Sequence, residues 1–273
     1  MMIYLQRYGT PARLGREEQA VYAHCVKERL PVRYFEAGEL NKDMLREASL
    51  VVGSVESYTQ ALSLLGVDAG RPNYYPSELA PFLGRDVKLE LMAQLRQDVV
   101  NAPVFAKPAM KYKLFNGDVF TTQNIGELDH FHEDTPVWIS EVVDFRSEFR
   151  VYVLEGEILA CCQYMGEVDD TPDMTMVVQA VSLMSENDGP TAFAIDVGND
   201  VNGRTKLVEF TDGFSLGFYK GLSNADYFQL LQSRWNDFQT NVPSQCPSCE
   251  GKFITETLYG WICADCGRTN ESY

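Results

Sequence analysis

The segment TAFAIDVGNDVNGRTKLVEFTDG, Thr191 to Gly213, decides how this chain is read. Two strand-like runs flank Asn202-Gly203, the dipeptide best suited to a two-residue type I′ hairpin because both central residues need positive φ. With that pair as the turn, Val201 faces Arg204 and Asp196 faces Glu209. Alternation then sets Ala194, Asp196, Glu209 and Thr211 on one face, and Ile195, Val197, Val208 and Phe210 on the other, the core face. Two carboxylates directly opposite each other destabilise a sheet unless something compensates. A divalent cation is the economical answer, because Mg2+ takes hard oxygen ligands and binds through one or two carboxylates plus substrate phosphates. The plain alternative is a solvated face neutralised by Lys206 and Arg204.

Basic residues upstream complement this face. VFAKPAMKYKLFNG places Lys107, Lys111 and Lys113 within a few positions, and three lysines together suggest an anion. In ISEVVDFRSEFRVYV, alternation puts Glu148, Arg150 and Tyr152 on one face and Phe149, Val151 and Val153 on the other. Arg150 in mid-strand is suited to forked hydrogen bonding to phosphate or carboxylate; its structural alternative is an ion pair with Glu148 or Glu141. GxxxxGK[ST] and GxGxxG are both absent, so nucleotide binding would have to use strand lysines and metal-bound phosphates.

Outward from these strands, the pattern divides the chain. IYLQRY reads as a strand, Thr10-Pro11 as the start of a helix, SLVVGS as a buried strand, and Ser54 as the cap of a helix with Val55, Tyr58, Leu62 and Leu65 on one face before Gly66. That alternation argues for an α/β unit. A helix is expected around Val87 to Val99, after which strands dominate, with a hairpin at Glu155-Gly156 and a helix from Thr171. Asn224 opens a last helix with Tyr227, Leu231, Trp235 and Phe238 on one stripe. His130 and His132 read as loop residues, and Tyr164 and Ser215 as candidates for substrate contact.

The 273 residues are 45% hydrophobic, enough for a sizeable core, and carry 23 basic against 39 acidic residues, a net charge of −16. That balance opposes non-specific attraction to nucleic acid or anionic membranes. With no membrane-length apolar run and no signal-peptide pattern, a cytoplasmic protein is expected. Of seven cysteines, Cys25, Cys161 and Cys162 sit among apolar residues. Cys246 and Cys249 (CPSC), then Cys263 and Cys266 (CADC), resemble the ligand set of a zinc ribbon, since four thiolates supply a closed tetrahedral Zn2+ site. Such a module presents its fingers to a partner, here a protein rather than DNA; two disulfides are the redox alternative.

KP followed by KLFNG, then ISEVV, EFRVYVLEGEI, AIDVG and VEFTDGFSLGFY resemble, in order, the ATP-grasp domain of RimK-related carboxylate-amine ligases of bacteria and their viruses. The resemblance runs from about Tyr74 to Leu222, and GSVESYTQALSLLGV with YPSELAPFLGR resembles the preceding domain. It implies an α+β ATP-grasp fold over 85–241, a small α/β pre-ATP-grasp domain over 1–84, and the zinc ribbon over 242–273. It further implies an enzyme using ATP and Mg2+ to join a carboxylate to an amine on an amino-acid, peptide or protein substrate through an acyl phosphate. In that scheme Lys107 and Lys113 meet the nucleotide phosphates, and Glu141 lies in the segment lining the adenine pocket. Arg150 sits near the transferred phosphate, and Asp196 and Glu209 hold Mg2+. The family commonly reads E-x-N-D-G where this chain has Glu209-Phe210-Thr211-Asp212-Gly213, so Thr211 replaces an amide ligand, and Asp212 is expected to reach the metal through a water. Two other readings stay open: a catalytically silent nucleotide-binding adaptor whose ribbon recruits partners, and a zinc-ribbon protein that joins nucleic-acid ends.

Overall fold

The computed structural model describes residues 2–166, 170–186, 189–240, 254–257 and 260–263. The N-terminal unit runs β1 (Met2–Tyr8), β2 (Arg13–Leu14), α1 (Arg16–Glu28), β3 (Val32–Phe35), α2 (Lys42–Glu47), β4 (Ala48–Val52) and α3 (Val55–Leu65). β1 lies between β3 and β4, parallel to both, as the alternation of strands and helices predicts. α3 is bounded as expected: Ser54 accepts from the Ser57 N–H at 3.2 Å, and Gly66 ends the helix at φ 82°. α1 starts later than Thr10-Pro11 suggests. Those two residues form a turn before β2, and Gly15 is the N-cap.

A second sheet follows, from β5 (Val87–Leu91), α4 (Met92–Asp98), β6 (Val104–Pro108), β7 (Asp118–Phe120) and β8 (Pro136–Glu141), in the order β5-β8-β6-β7. The single helix expected over Val87 to Val99 is therefore a strand and then a short helix. Leu89 and Leu91 are exposed on the edge strand, whereas Met92, Leu95 and Val99 pack α4 against Ala106, Val137 and Ile139.

The third sheet contains β9 (Phe145–Leu154), β10 (Glu157–Gly166), β11 (Ala192–Asp200) and β12 (Thr205–Asp212), in the order β10-β9-β11-β12, with α5 (Met174–Glu186) inserted before β11. Its two faces serve different cores. Phe149, Val151, Val153, Phe193, Ile195 and Val197 pack against α5. Tyr152, Ala192 and Ala194 face the N-terminal unit and α6 (Asn224–Thr240), whose Tyr227, Leu231, Trp235 and Phe238 are all buried. Ser223, not Asn224, caps α6, accepting from the Asp226 N–H at 3.0 Å. Similarly Asp173, not Thr171, caps α5, accepting from the Thr175 N–H at 2.9 Å. β13 (Ile254–Thr257) and β14 (Gly260–Cys263) form a separate antiparallel pair. The predicted Zn2+ ligands Cys246, Cys249 and Cys266 lie outside the described residues, as does everything but the backbone of Cys263.

The β11–β12 hairpin pairs Asp196 with Glu209, as alternation predicts, but by a different route. The turn is wider than Asn202-Gly203: the Asp200 N–H donates to Arg204 O, and Asp200 Oδ1 accepts from the Asn202 and Arg204 N–H groups at 2.9 Å each. Near the turn Val197 pairs with Leu207, and the register then shifts by one residue at Val208. This β-bulge restores the predicted pairing from Asp196 onward. Consequently Leu207, rather than Val208, enters the core.

Candidate active site

Residues 150, 196 and 209 form one row across three strands: Arg150 pairs with Asp196 on β11, and Asp196 with Glu209 on β12. The opposed carboxylates are compensated from both ends. Arg150 forks onto Asp196, Nε to Oδ1 at 2.8 Å and Nη2 to Oδ2 at 2.7 Å. Lys107, from β6 of the facing sheet, pairs with Glu209, and its Nζ lies 3.3 Å from the centroid of the Tyr74 ring, a cation–π contact. The alternatives offered by the sequence do not form, since Arg150 bonds neither Glu148 nor Glu141, and Lys206 pairs with Asp200 at 3.1 Å.

Burial governs the titration of this row. It pushes the Asp196 carboxyl above its ordinary range, opposed by the Arg150 fork. For Arg150 burial works against the charge, but the Asp196 carboxylate outweighs it and holds the guanidinium firmly protonated. Glu148 is also raised by burial, although the Tyr164 hydroxyl donates to its Oε2 at 2.5 Å. The same hydroxyl lies 3.4 Å from Asp196 Oδ2. The Tyr74 phenol is pushed up to about 12 by burial and then by Glu209.

Beside the row, between the second and third sheets, is a cavity of about 340 Å3. Its apolar wall includes Phe105, Val119, Val142, Val143, Phe145 and Val208, and Glu148 and Glu209 border it. Ser140 and Glu141, at the segment joining the sheets, line it as well. A largely apolar slot with a few placed polar groups is the usual form of a small-ligand site.

The donor set suits a hard cation. Asp196 and Glu209 present carboxylates on one face, and Thr211, next on that face of β12, has a buried Oγ1 with no hydrogen-bond partner among the described residues. Two carboxylates and an orphaned hydroxyl match the oxygen ligands that Mg2+ takes. Asp212 is not available as the predicted water-bridged ligand: Arg234 holds it in a fork at 2.7 and 2.8 Å, on the side of α6. Among the described residues no group of three His, Cys, Asp or Glu side chains could hold a metal ion, and His130 and His132 remain loop residues.

Lys107, Glu141, Arg150, Asp196, Glu209 and Thr211 thus converge on one region. Lys113 does not join them. It lines a different cavity of about 350 Å3 that borders the N-terminal unit, with Gly53, Ser54 and Ser215. Two residues at the site carry no signal in the sequence, Tyr74 under Lys107 and a clamp on β12. Arg85 donates to the carbonyls of Leu207 at 2.6 Å and Val208 at 2.9 Å, clamping the bulge that orients Glu209. An isolated Gly-Arg after a proline-rich stretch gives no signal of this.

A family model described as an ATP-grasp domain, the second family of its clade, matches residues 82–230. Among solved structures, the chain is similar to D-cycloserine synthetase DcsG, at 11% identity and TM-score 0.57, over 86% of this chain and 99% of that one. It is similar to N5-carboxyaminoimidazole synthetase from Staphylococcus aureus at 10% identity and TM-score 0.57, over 85% and 77%. It also resembles an ADP complex of purK, N5-carboxyaminoimidazole ribonucleotide synthetase, at 12% identity and TM-score 0.53, over 86% and 76%. No curated protein matches the sequence.

Proposed function

The chain belongs to the ATP-grasp domain family whose model it matches, and from that premise we propose that it is an ATP- and Mg2+-dependent carboxylate-amine ligase. The observation that carries the reading is the charged row itself. Arg150, Asp196, Glu209 and Lys107 are paired on one face beside an apolar slot of about 340 Å3. The slot takes the adenine, with Glu141 in the connecting segment, and Lys107 and Arg150 meet the phosphates. Asp196, Glu209 and the Thr211 hydroxyl would hold Mg2+, which would supply charge neutralisation for phosphoryl transfer.

The reaction has two steps. A substrate carboxylate oxygen attacks the γ-phosphorus, the bond from that phosphorus to the β–γ bridging oxygen breaks, and ADP leaves with the bond's electrons. An amine nitrogen then attacks the acyl carbon, the C–O bond to phosphate breaks, inorganic phosphate departs, and the nitrogen loses its proton to solvent. Phosphoryl transfer depends on positioning and charge neutralisation more than on covalent help from the protein. Arg150 and Lys107 suit that task because the row holds both cations in place, Arg150 by the Asp196 fork and Lys107 by Glu209 and the Tyr74 ring, until phosphate takes the carboxylates' place.

The four cysteines Cys246, Cys249, Cys263 and Cys266 complete the proposal as a Zn2+-held ribbon that contacts a protein partner or delivers substrate. Near-zero zinc in the purified, reduced protein would remove that part. The ligase itself is tested by amine-dependent ADP release in the native protein, Asp196→Asn and Glu209→Gln. Loss in both variants is expected. Equal turnover in all three would sink the metal assignment, and ATP binding without turnover in the native protein would favour the silent adaptor.

A further inference from the structure

The second sheet ends in an open edge. β5 pairs with β8 alone, and among the described residues the backbone of 87–91 makes no hydrogen bond on its other side. Both faces of the strand are open as well: Leu89 and Leu91 are 49% and 44% exposed, and the Lys88 side chain is 57% exposed. An unpaired strand edge that carries apolar side chains is a template for another strand.

The sequence of β5, Val-Lys-Leu-Glu-Leu, is apolar at its centre and both ends, with a cation before the centre and an anion after it. An antiparallel copy aligned on Leu89 sets Lys88 opposite the second copy's Glu90, and Glu90 opposite the second copy's Lys88. Leu89 then meets Leu89, and Val87 meets Leu91 at each end. Each cross-strand pair is apolar with apolar or cation with anion, the combinations that stabilise a sheet. A register shifted by one residue would set leucine opposite charge, and one shifted by two would set Lys88 opposite Lys88 or Glu90 opposite Glu90. The faces agree too. Lys88 and Glu90 share the face of Ile139 and Val137, on which α4 packs, while Leu89 and Leu91 share that of Trp138 and Pro136. A two-fold axis normal to the sheet keeps each face on its own side.

Lys88 lies 2.7 Å from Asp86, but both side chains are more than half exposed, so that pair contributes little and exchanges readily. The groove beside Lys88 is also lined by Glu90, Asp98 and Glu141, which leaves Lys88 its one cation. A lysine on an edge strand ordinarily blocks pairing. Followed two residues later by a glutamate, it blocks every register but the one centred on Leu89.

We propose that β5 pairs antiparallel with β5 of a second copy of this chain, across a two-fold axis at Leu89, joining two four-stranded sheets into one. The interface is isologous. Five residues a side make a short seam, so association is of the weak, concentration-dependent kind. It does not depend on the ligase reading, because Lys88 and Glu90 take no part in the charged row.

The test is sedimentation velocity of the full chain over a wide range of concentration, at physiological salt, which confines repulsion between two acidic copies to about 8 Å. The native chain should pass from monomer to dimer as concentration rises. Lys88→Glu and Glu90→Lys each set like charges opposite at both pairs, and each should weaken the dimer by at least about tenfold. The double variant Lys88→Glu/Glu90→Lys restores both pairs and should dimerise as the native chain does. The two single variants, mixed in equal amounts and labelled with donor and acceptor dyes, complement each other and should show energy transfer that neither shows with itself. That mixture separates a lost seam from a lost fold, since misfolded variants would not pair. A native chain that stays monomeric overturns the proposal, whether another segment of the chain or another protein covers the edge. So does a dimer unmoved by either single change, or single variants that fail to pair when mixed.

Discussion

Arg85→Gln should loosen the strand that carries Glu209. Near the turn, β11 and β12 pair in a register that, if continued, would set Val208 opposite Asp196 and turn Glu209 to the core face beside Ile195. The extra residue at Val208 prevents this, and Arg85 grips it through Leu207 O at 2.6 Å and Val208 O at 2.9 Å. A hydrogen bond from a charged donor contributes about 1.5–3 kcal/mol. Glutamine can keep one of the two, and water in the adjoining cavity can reach the other, so a net loss of about 2 kcal/mol is expected. With a urea dependence of about 3 kcal/mol per molar, the top of the ordinary range, the unfolding midpoint should fall by roughly 0.7 M. The midpoint is read by tryptophan fluorescence without nucleotide, and Arg85→Lys, which retains one charged donor, should fall between. The Mg2+ concentration needed for nucleotide binding should rise in the same order, because a carboxylate that wanders from its partner's face is a poorer ligand. An unchanged midpoint together with an unchanged Mg2+ requirement in Arg85→Gln would show that the bulge holds itself.

Three further outcomes follow from the same geometry. Arg150→Met strands the buried Asp196 carboxylate and should cost about 3–5 kcal/mol, most of it regained when Asp196→Leu is added, as a double-mutant cycle in denaturant would show; additive losses would refute the coupling. Thr211→Val removes a buried hydroxyl that has no partner among the described residues and keeps its shape, so thermal stability without Mg2+ should rise by about 1 kcal/mol while the Mg2+ requirement increases; a fall in stability would mean the hydroxyl has a structural partner. Asp170 is held down to about 2, first by the Ser147 hydroxyl and then by Asn199. A depressed carboxyl stabilises the fold above its unfolded value of about 3.9, and that contribution is lost as pH falls through its folded value. Asp170→Asn should therefore be less stable than the native chain at neutral pH, with the deficit closing toward pH 2; a deficit independent of pH would assign the effect to packing.

Much of the row was legible because strand alternation is a short-range property. Arg150, Asp196, Glu209 and Thr211 each keep the face that period two assigns them, and Lys107 lies on the strand that faces them. The pairing of Asp196 with Glu209 was foreseen through the wrong turn, because a longer loop and a bulge shift the register by one residue each and cancel. What could not be read depends on distant partners. Asp212 is held in a fork by Arg234, 22 residues away in sequence and on another element. Lys113 lines a different cavity from the one beside the row, at a left-handed backbone position that no apolar periodicity signals. The segment from Val87 looked helical because helix and strand faces are hard to separate in a short apolar run, and its outward Leu89 and Leu91 belong to an edge strand.

The charges of the row also constrain how a ligand can enter. Arg150 and Lys107 cancel Asp196 and Glu209, so the four are neutral together. A buried ion deprived of its partner costs several kcal/mol. Separate arrival of nucleotide or metal would pull one sign away from the other and leave that cost outstanding. On the ligase reading, entry of ATP together with Mg2+ lets each group exchange one partner for another of the same sign, Asp196 and Glu209 turning to the cation as Arg150 and Lys107 turn to the phosphates. Nucleotide affinity should accordingly depend steeply on Mg2+ in the native chain. It should depend far less on Mg2+ in Asp196→Asn/Glu209→Gln, where the two cations are already free for phosphate; equal dependence in both would mean that the carboxylates do not take part in the exchange.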